Sequence, residues 1–248
     1  MTGADNDRAR RILRRVSSRV PLHTRTAVRR RLARLNHPRW GNLRRLEPFS
    51  GYYGFDRGTP VDRFYIERFL SDRAQDIRGN VLEVGHARYA RTFAGSTPAR
   101  VEIMDNDRNN AETSIFADLS EPNSLPVGRF DCFILTQTLQ LVANPEGALQ
   151  NAWETLTSGG VLLISVPGIT RSDPDHIDVD RWRFTPAGLD TLLARTCSGG
   201  SREVVGYGNL TAATAFLMGL AAEELSESDL SATDPYFTVS VCARVTKH

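Results

Sequence analysis

Asn80–Tyr89, NVLEVGHARY, is the stretch on which the reading of this chain turns. Val81 to Val84 form a short apolar run with β-branched ends, and Gly85 follows at once, the pattern of a buried parallel strand entering a tight turn. Glu83 interrupts the run. An acid at the carboxyl end of a buried strand costs free energy unless something hydrogen-bonds it, and either a ligand or the amides of the turn can do so.

Outward from this junction, Arg100 to Met104 (RVEIM) reads as a second strand running into Asp105-Asn106-Asp107. These acids fall about 20 residues after the glycine turn, where a Rossmann-like site places a carboxylate for ribose hydroxyls. A strand end can be read one pleat either way, which leaves Asp105 and Asp107 both open. Ser114 to Ala117 makes a short third strand before Asp118 and Leu119. The segment GRFDCFILTQTLQLV, 128–142, gives a fourth strand and the loop Thr136 to Gln140. Asn144 and Pro145 then cap a helix, Gly159-Gly160 is the expected stop, and VLLISVPG, 161–168, is an all-apolar fifth strand. Strand, helix and strand in this order build a parallel sheet, with ligands outside the carboxyl ends of its strands. Gly85, Asp105, Asp118, Thr136 and Pro167 therefore share one rim. Thr185-Pro186 opens a further helix through Arg195, Glu203 to Tyr207 reads as a sixth strand, Ala212 to Leu225 as an apolar helix, and Phe237 to Val245 as the last strand. The expected fold class is α/β, a Rossmann-like, doubly wound, mostly parallel seven-stranded sheet.

Glu83 to Tyr89 resembles motif I of the class I S-adenosylmethionine (SAM) dependent methyltransferases, acid-x-Gly-x-Gly-x-Gly, with Ala87 and Tyr89 where the second and third glycines stand. The resemblance extends over roughly Val61 to Val245, most of a typical single domain. It implies SAM as cofactor, with Tyr65, Glu83, Gly85, His86, Ala87, Asp105 or Asp107, Asp118, Leu119, Thr136 and Gln137 around it and Asp118 at the adenine amino group. The helix before the first strand lids the cofactor in that family, which makes Arg57, Asp62, Arg63 and Tyr65 candidates for lining the site. The segments GYYGFDRGTP, TQTLQ and WRFTP are similar to methyltransferases of sugar and secondary-metabolite modification. That similarity implies transfer to a hydroxyl of a small-molecule or glycan acceptor held by Tyr52, Tyr53, Arg57, Asp62, Arg63, Gln140, Trp182, Arg183 and Asn209. A binding module that has lost catalysis or SAM is the alternative. A nucleic-acid methyltransferase ranks lower, since the body is acidic and no Asn-Pro-Pro-aromatic motif is present.

The loop SDPDHIDVDRWRFTP, 172–186, sets Asp173, Asp175, His176, Asp178 and Asp180 close together after the fifth strand. A sugar-like hydroxyl is a poor nucleophile until a base or a metal takes its proton. His176 with Asp178 and Asp180 is the expected catalytic group; a histidine ordinarily titrates near neutrality, and carboxylates can orient it or hold a hard divalent cation.

With 248 residues and 40% hydrophobic composition, the chain suits one α/β domain, 47–248, plus an appendage, 1–46. The appendage has 14 arginines against Asp5 and Asp7, while 17 basic and 27 acidic residues follow it. Apolar positions at helical spacing from Ile12 to Leu35 predict two short amphipathic helices in this arginine-rich arm. Its first expectation is packing on its own acidic body or on a second subunit, giving a homo-oligomer, ahead of nucleic acid or anionic lipid. The one lysine, Lys247, excludes a Walker-type loop, a Tyr-x-x-x-Lys site and an internal Schiff base. No apolar run is long enough for a membrane span and no signal core is present, so a cytoplasmic location is expected. Cys132, Cys197 and Cys242 read as buried reduced thiols. Between His37 and Pro60, Tyr52, Tyr53 and Phe55 sit in a loop that could cover a pocket. A helix then begins, with Thr59 expected as N-cap and Pro60 as its first residue, burying Val61, Phe64, Tyr65 and Phe69.

Overall fold

The computed structural model describes residues 41–94 and 99–248. The chain divides into two compact units, Met1–Leu46 and Glu47–His248. The two helices expected within residues 8–35 lie outside the described residues; the described end of the first unit holds a 3-10 turn, Gly41–Leu43.

The second unit is organised on seven strands, β1 (Gly79–Val84), β2 (Ala99–Asp105), β3 (Ile115–Phe116), β4 (Phe130–Thr136), β5 (Leu156–Pro167), β6 (Ser201–Tyr207) and β7 (Ser240–Thr246). Their order is β3-β2-β1-β4-β5-β7-β6. β1, β2, β3, β4 and β5 pair in parallel, and β7 runs antiparallel to both β5 and β6. The α/β class expected from the sequence is the one observed.

Successive side chains of a strand point to opposite faces, so the apolar runs of the central strands supply two cores. Leu82, Phe133, Leu135, Leu162 and Ile164 pack on one face with Leu149 and Ala152 of α3 (Pro145–Glu154) and Leu189 and Leu193 of α4 (Pro186–Thr196). Val81, Cys132, Ile134 and Leu163 pack on the other with Ile66, Phe69 and Leu70 of α1 (Val61–Ser71) and Ala90 of α2 (Arg88–Phe93). Helices thus cover both faces. A third cluster joins Val61 and Tyr65 to Ala212, Ala213 and Phe216 of α5 (Leu210–Leu217). A last short helix, α6, spans Glu227–Ser231. All three cysteines are buried and free.

Two helix starts follow from sequence: Asn144 accepts from the Gly147 amide at 3.1 Å and Thr185 from the Gly188 amide at 3.0 Å, each with proline next. Lys247 has a structural task. Its Nζ donates to the carbonyls of Trp153 and Leu156 at 2.8 Å, a cation on the carboxyl end of α3.

Other boundaries differ from the sequence reading. Pro60, not Thr59, is the N-cap of α1, because the Glu223 carboxylate takes both the Thr59 amide (2.9 Å) and hydroxyl (2.8 Å). Gly159-Gly160 lies inside β5, since the helix already ends at Glu154 and Leu156 pairs with Phe130 before a register shift in the β4–β5 ladder. The apolar helix stops at Leu217, where Gly219 turns the chain at φ 71° so closely against Ser50 that a Cβ would lie 2.4 Å from its carbonyl oxygen. β3 is shorter than expected, and β7 begins at Ser240 rather than Phe237. Among the described residues no helix is long and apolar enough to cross a membrane.

Candidate active site

The strand order reverses at β1, between β2 on one side and β4 on the other, and open α/β sheets bind ligands at that crevice. A cavity of about 580 Å³ opens there, reached by the carboxyl ends of β1, β4 and β5.

At the end of β1 the chain turns at Gly85 with φ 78°, a left-handed value that a side chain would strain. A Cβ there would meet nothing within 4 Å, so the turn itself requires glycine and its outer side stays open. Behind it, Glu83 is only 2% exposed. Its oxygens accept from the amides of Tyr89 (2.9 Å) and Ala90 (2.8 Å), in the first turn of α2. The amides at the start of α2 hold this acid. Burial still outweighs the Ala90 amide and the charges of Arg91 and Arg88, pushing Glu83 up to about 7.

The pH dependence follows. An acid whose folded pKa is raised binds an extra proton in the native state, so its stabilising share is full below the ordinary glutamate value of 4.5 and is lost as pH rises through about 7. Unfolding free energy measured by urea between pH 4.5 and 8 is expected to fall by on the order of 1–3 kcal/mol from this group. Glu83→Gln should flatten that decline; an equally steep decline in the variant would refute the assignment.

Ala87, at the second glycine position, is buried and serves as the N-cap of α2. Tyr89, at the third, braces α2 against α1: its hydroxyl accepts from Arg63 and its ring stacks on Phe93 at 6.2 Å. The Arg63 guanidinium lies over Tyr89 at 5.5 Å and Phe55 at 5.8 Å, and desolvation lowers its pKa. Next to it, Asp62 keeps partial access to the cavity, yet loss of hydration raises its carboxyl against the lowering charge of Arg63.

At the end of β4, Thr136 is followed by Gln137 in a left-handed conformation, φ 47°. Gln140 folds back, its Nε2 donating to the Gln137 carbonyl at 2.9 Å. After β5, Arg171 stacks at 4.0 Å on Tyr53, whose hydroxyl burial pushes up to about 12 with help from Asp173. Tyr53 belongs to a flap pinned by Ser50, whose Oγ accepts from the amides of Tyr52 (2.9 Å) and Gly54 (3.1 Å). In the same wall His176 Nδ1 lies 3.0 Å from Asp173 Oδ2. Asp180 is held by Arg183 at 2.6 and 2.7 Å and by the Asp173 amide at 2.9 Å. The Arg183 bond holds its carboxyl below the ordinary range.

Four buried polar atoms of this lining lack a partner: Arg63 Nε, Gln137 Nε2, Gln140 Oε1 and Arg171 Nε. Buried polar groups are seldom left unpaired, and a polar ligand in the cavity would pair these.

No family model matches the chain, and no curated protein matches it in sequence. Its backbone matches solved structures. The plantazolicin methyltransferase BamL, solved with a triazolic desmethylPZN analog and SAH, superposes with a TM-score of 0.52 at 14% identity, over 79% of this chain and 88% of that one. A SAM-dependent methyltransferase from Mesorhizobium loti gives 0.50 at 15%, over 78% and 100%. This is the class I SAM-dependent methyltransferase fold. The same fold carries other chemistry: the [4+2]-cyclase SpnF gives 0.51 at 14%, over 81% and 86%. The methyltransferase fold therefore leaves the reaction to be argued from the site.

Of the residues expected around the cofactor, Glu83, Gly85, His86, Thr136 and Gln137 line the cavity. Tyr65 does not: it is fully buried and stacked on Tyr207 at 5.6 Å. Asp105, Asp107, Asp118 and Leu119 lie beyond the lining, on the β2–β3 side of the rim. There Asn110 joins Gly85 to Asp105, donating to the Gly85 carbonyl at 2.7 Å and to Asp105 Oδ2 at 2.6 Å. Asp107 instead accepts from the Asn109 amide at 2.8 Å.

Of the residues expected to hold an acceptor, Tyr52, Tyr53, Asp62, Arg63, Gln140 and Arg183 line the cavity. Three expected residues are engaged elsewhere. Arg57 pairs with Glu224, Trp182 donates to the Val142 carbonyl at 2.8 Å, and Asn209 caps α5 and donates to the Asp229 and Ala232 carbonyls at 2.7 Å. The trio expected to be catalytic also separates. His176 and Asp180 reach the cavity, Asp178 is exposed outside its lining, and both Asp180 oxygens are occupied, so Asp173 is the acid that orients His176. Its Asp-x-x-His spacing was the available signal. Arg171, Phe55 and Thr138 are further lining residues. Among the described residues no group of three or more His, Cys, Asp or Glu could hold a metal ion.

Proposed function

We propose that this protein transfers the methyl group of SAM to a hydroxyl of a small-molecule or glycan acceptor. The observation that carries the reading is the cavity at the sheet's switch point, bounded by the open Gly85 turn and holding four unpaired polar atoms. A zwitterionic amino-acid end suits Arg63 and Asp62, and Gln137 offers a further donor. Asp105, which closes β2 and is tied to Gly85 through Asn110, is the ribose acid in preference to Asp107. Asp118 then faces the base.

Bound SAM supplies an electrophilic methyl on a sulfonium. The chain's own part is to position the hydroxyl and take its proton. Asp173 fixes His176 through Nδ1, leaving Nε2 to accept that proton, and the product of methylation at the hydroxyl would be a methyl ether. The flap rings Tyr52 (64% exposed) and Phe55 (46% exposed) offer stacking faces at the mouth.

The test is incubation with methyl-labelled SAM and a panel of hydroxylated, amino and thiol compounds. Label in base-stable ethers of hydroxylated compounds is the expected result. Label confined to nitrogen, carbon or base-labile esters would overturn the O-methyl reading while keeping SAM as donor.

A further inference from the structure

Four arginines line the cavity, and they are not equivalent. Arg183 is paired with Asp180 at 2.6 Å and Arg88 with Glu67 at 2.8 Å. Arg63 and Arg171 have no carboxylate within ion-pair distance among the described residues, and each carries a buried Nε without a partner. A guanidinium taken from water with a donor unmatched costs free energy that an anion can return. On the reading above the cofactor brings one carboxylate. Arg63, tied to Tyr89 beside the Gly85 turn, stands at that end. Arg171 is left over.

Arg171 stands on the acceptor wall. It stacks on Tyr53 at 4.0 Å and donates to the Gly51 carbonyl, which fixes the guanidinium on the flap. Its carbonyl accepts from Arg183 at 3.0 Å, and two residues on, Asp173 holds His176 at 3.0 Å. Anion anchor and base therefore rise from one short segment after β5. Asp173, the near carboxylate, is engaged by His176 and by the amide of Asp175 at 3.0 Å, so Arg171 is free to take an outside anion.

We propose that the acceptor is a hydroxylated compound bearing a carboxylate, held by Arg171 while its hydroxyl faces His176. This rests on the methyltransferase reading and narrows its acceptor to hydroxy acids, aromatic or sugar-derived.

The probes are 4-hydroxybenzoate and 4-hydroxybenzyl alcohol, matched in ring and hydroxyl and differing in charge. They are titrated calorimetrically into the full chain with and without S-adenosylhomocysteine. The acid is expected to bind about 10- to 100-fold more tightly than the alcohol, the range for a charged hydrogen bond. Arg171→Gln should erase the preference, Arg171→Lys should restore part of it, and Arg63→Gln should keep it while weakening S-adenosylhomocysteine. Equal affinities, no binding of either probe to the wild type, or a preference that survives in Arg171→Gln would overturn the proposal. The wild-type comparison needs no variant to fold. A wild type that prefers the acid but ignores S-adenosylhomocysteine would sink the methyltransferase reading and leave the anion site standing.

Discussion

Replacing His176 with alanine is expected to lower turnover of a hydroxyl acceptor roughly 100- to 10,000-fold while S-adenosylhomocysteine affinity changes by no more than a small factor. The magnitude is that of losing a general base. The separation of the two readouts follows from place: His176 stands in the loop after β5 with Asp173 behind it, whereas the Gly85 turn follows β1. Asp173→Asn should cost less, because the imidazole keeps its place in the loop and loses only the carboxylate that orients it. Near-full turnover in His176→Ala would remove the histidine from the chemistry and leave catalysis to positioning. His86 also lines the cavity, but in the glycine turn.

The second large effect belongs to Asp105. Its replacement by alanine is expected to weaken S-adenosylhomocysteine by about 1.5–3 kcal/mol, the range for hydrogen bonds to a charged group, whereas Asp107→Ala should change affinity little. Asp105 is the last residue of β2 and shares Asn110 with Gly85; Asp107 accepts from Asn109 within its own turn. Isothermal titration of both variants decides the matter. The reverse ranking would move the ribose contact one turn outward. Wild-type affinity in both variants would take the ribose away from the end of β2 altogether.

The fold is legible in the sequence where the apolar runs are continuous. β4 and β5 are covered by helices on both faces, so Phe133 to Leu135 and Leu162 to Ile164 leave no polar face to confuse the reading. Caps that act within three residues, Asn144 and Thr185, are equally legible. What the sequence hides is engagement by distant partners. Thr59 has every local mark of an N-cap, and only Glu223, far along the chain, takes its hydroxyl and amide away. Arg57 and Asn209 look like free polar groups until Glu224 claims the first and the carbonyls of Asp229 in α6 and Ala232 just after it claim the second.

The site divides in the same way. Glu83 and Gly85 are legible because strand, acid and turn adjoin in sequence, and the amides that hold Glu83 follow within seven residues, at the start of α2. Asp180 looks as available as any acid in its loop. The Arg183 fork three residues on removes it, and gives the orienting role to Asp173. Arg171 leaves no trace in any motif. Its place against Tyr53 arises from the flap at 50–58, which packs on Gly219 and Leu220 through close backbone approaches.

Whether the cavity at the carboxyl ends of β1 and β4 binds the methyl donor is decided by calorimetric titration of the full chain with S-adenosylhomocysteine. The expected result is saturable one-to-one binding that Asp105→Ala and Arg63→Gln each weaken. No detectable binding of either SAM or S-adenosylhomocysteine at millimolar ligand to a folded wild type would contradict it, and would mark the chain as a methyltransferase fold put to another use.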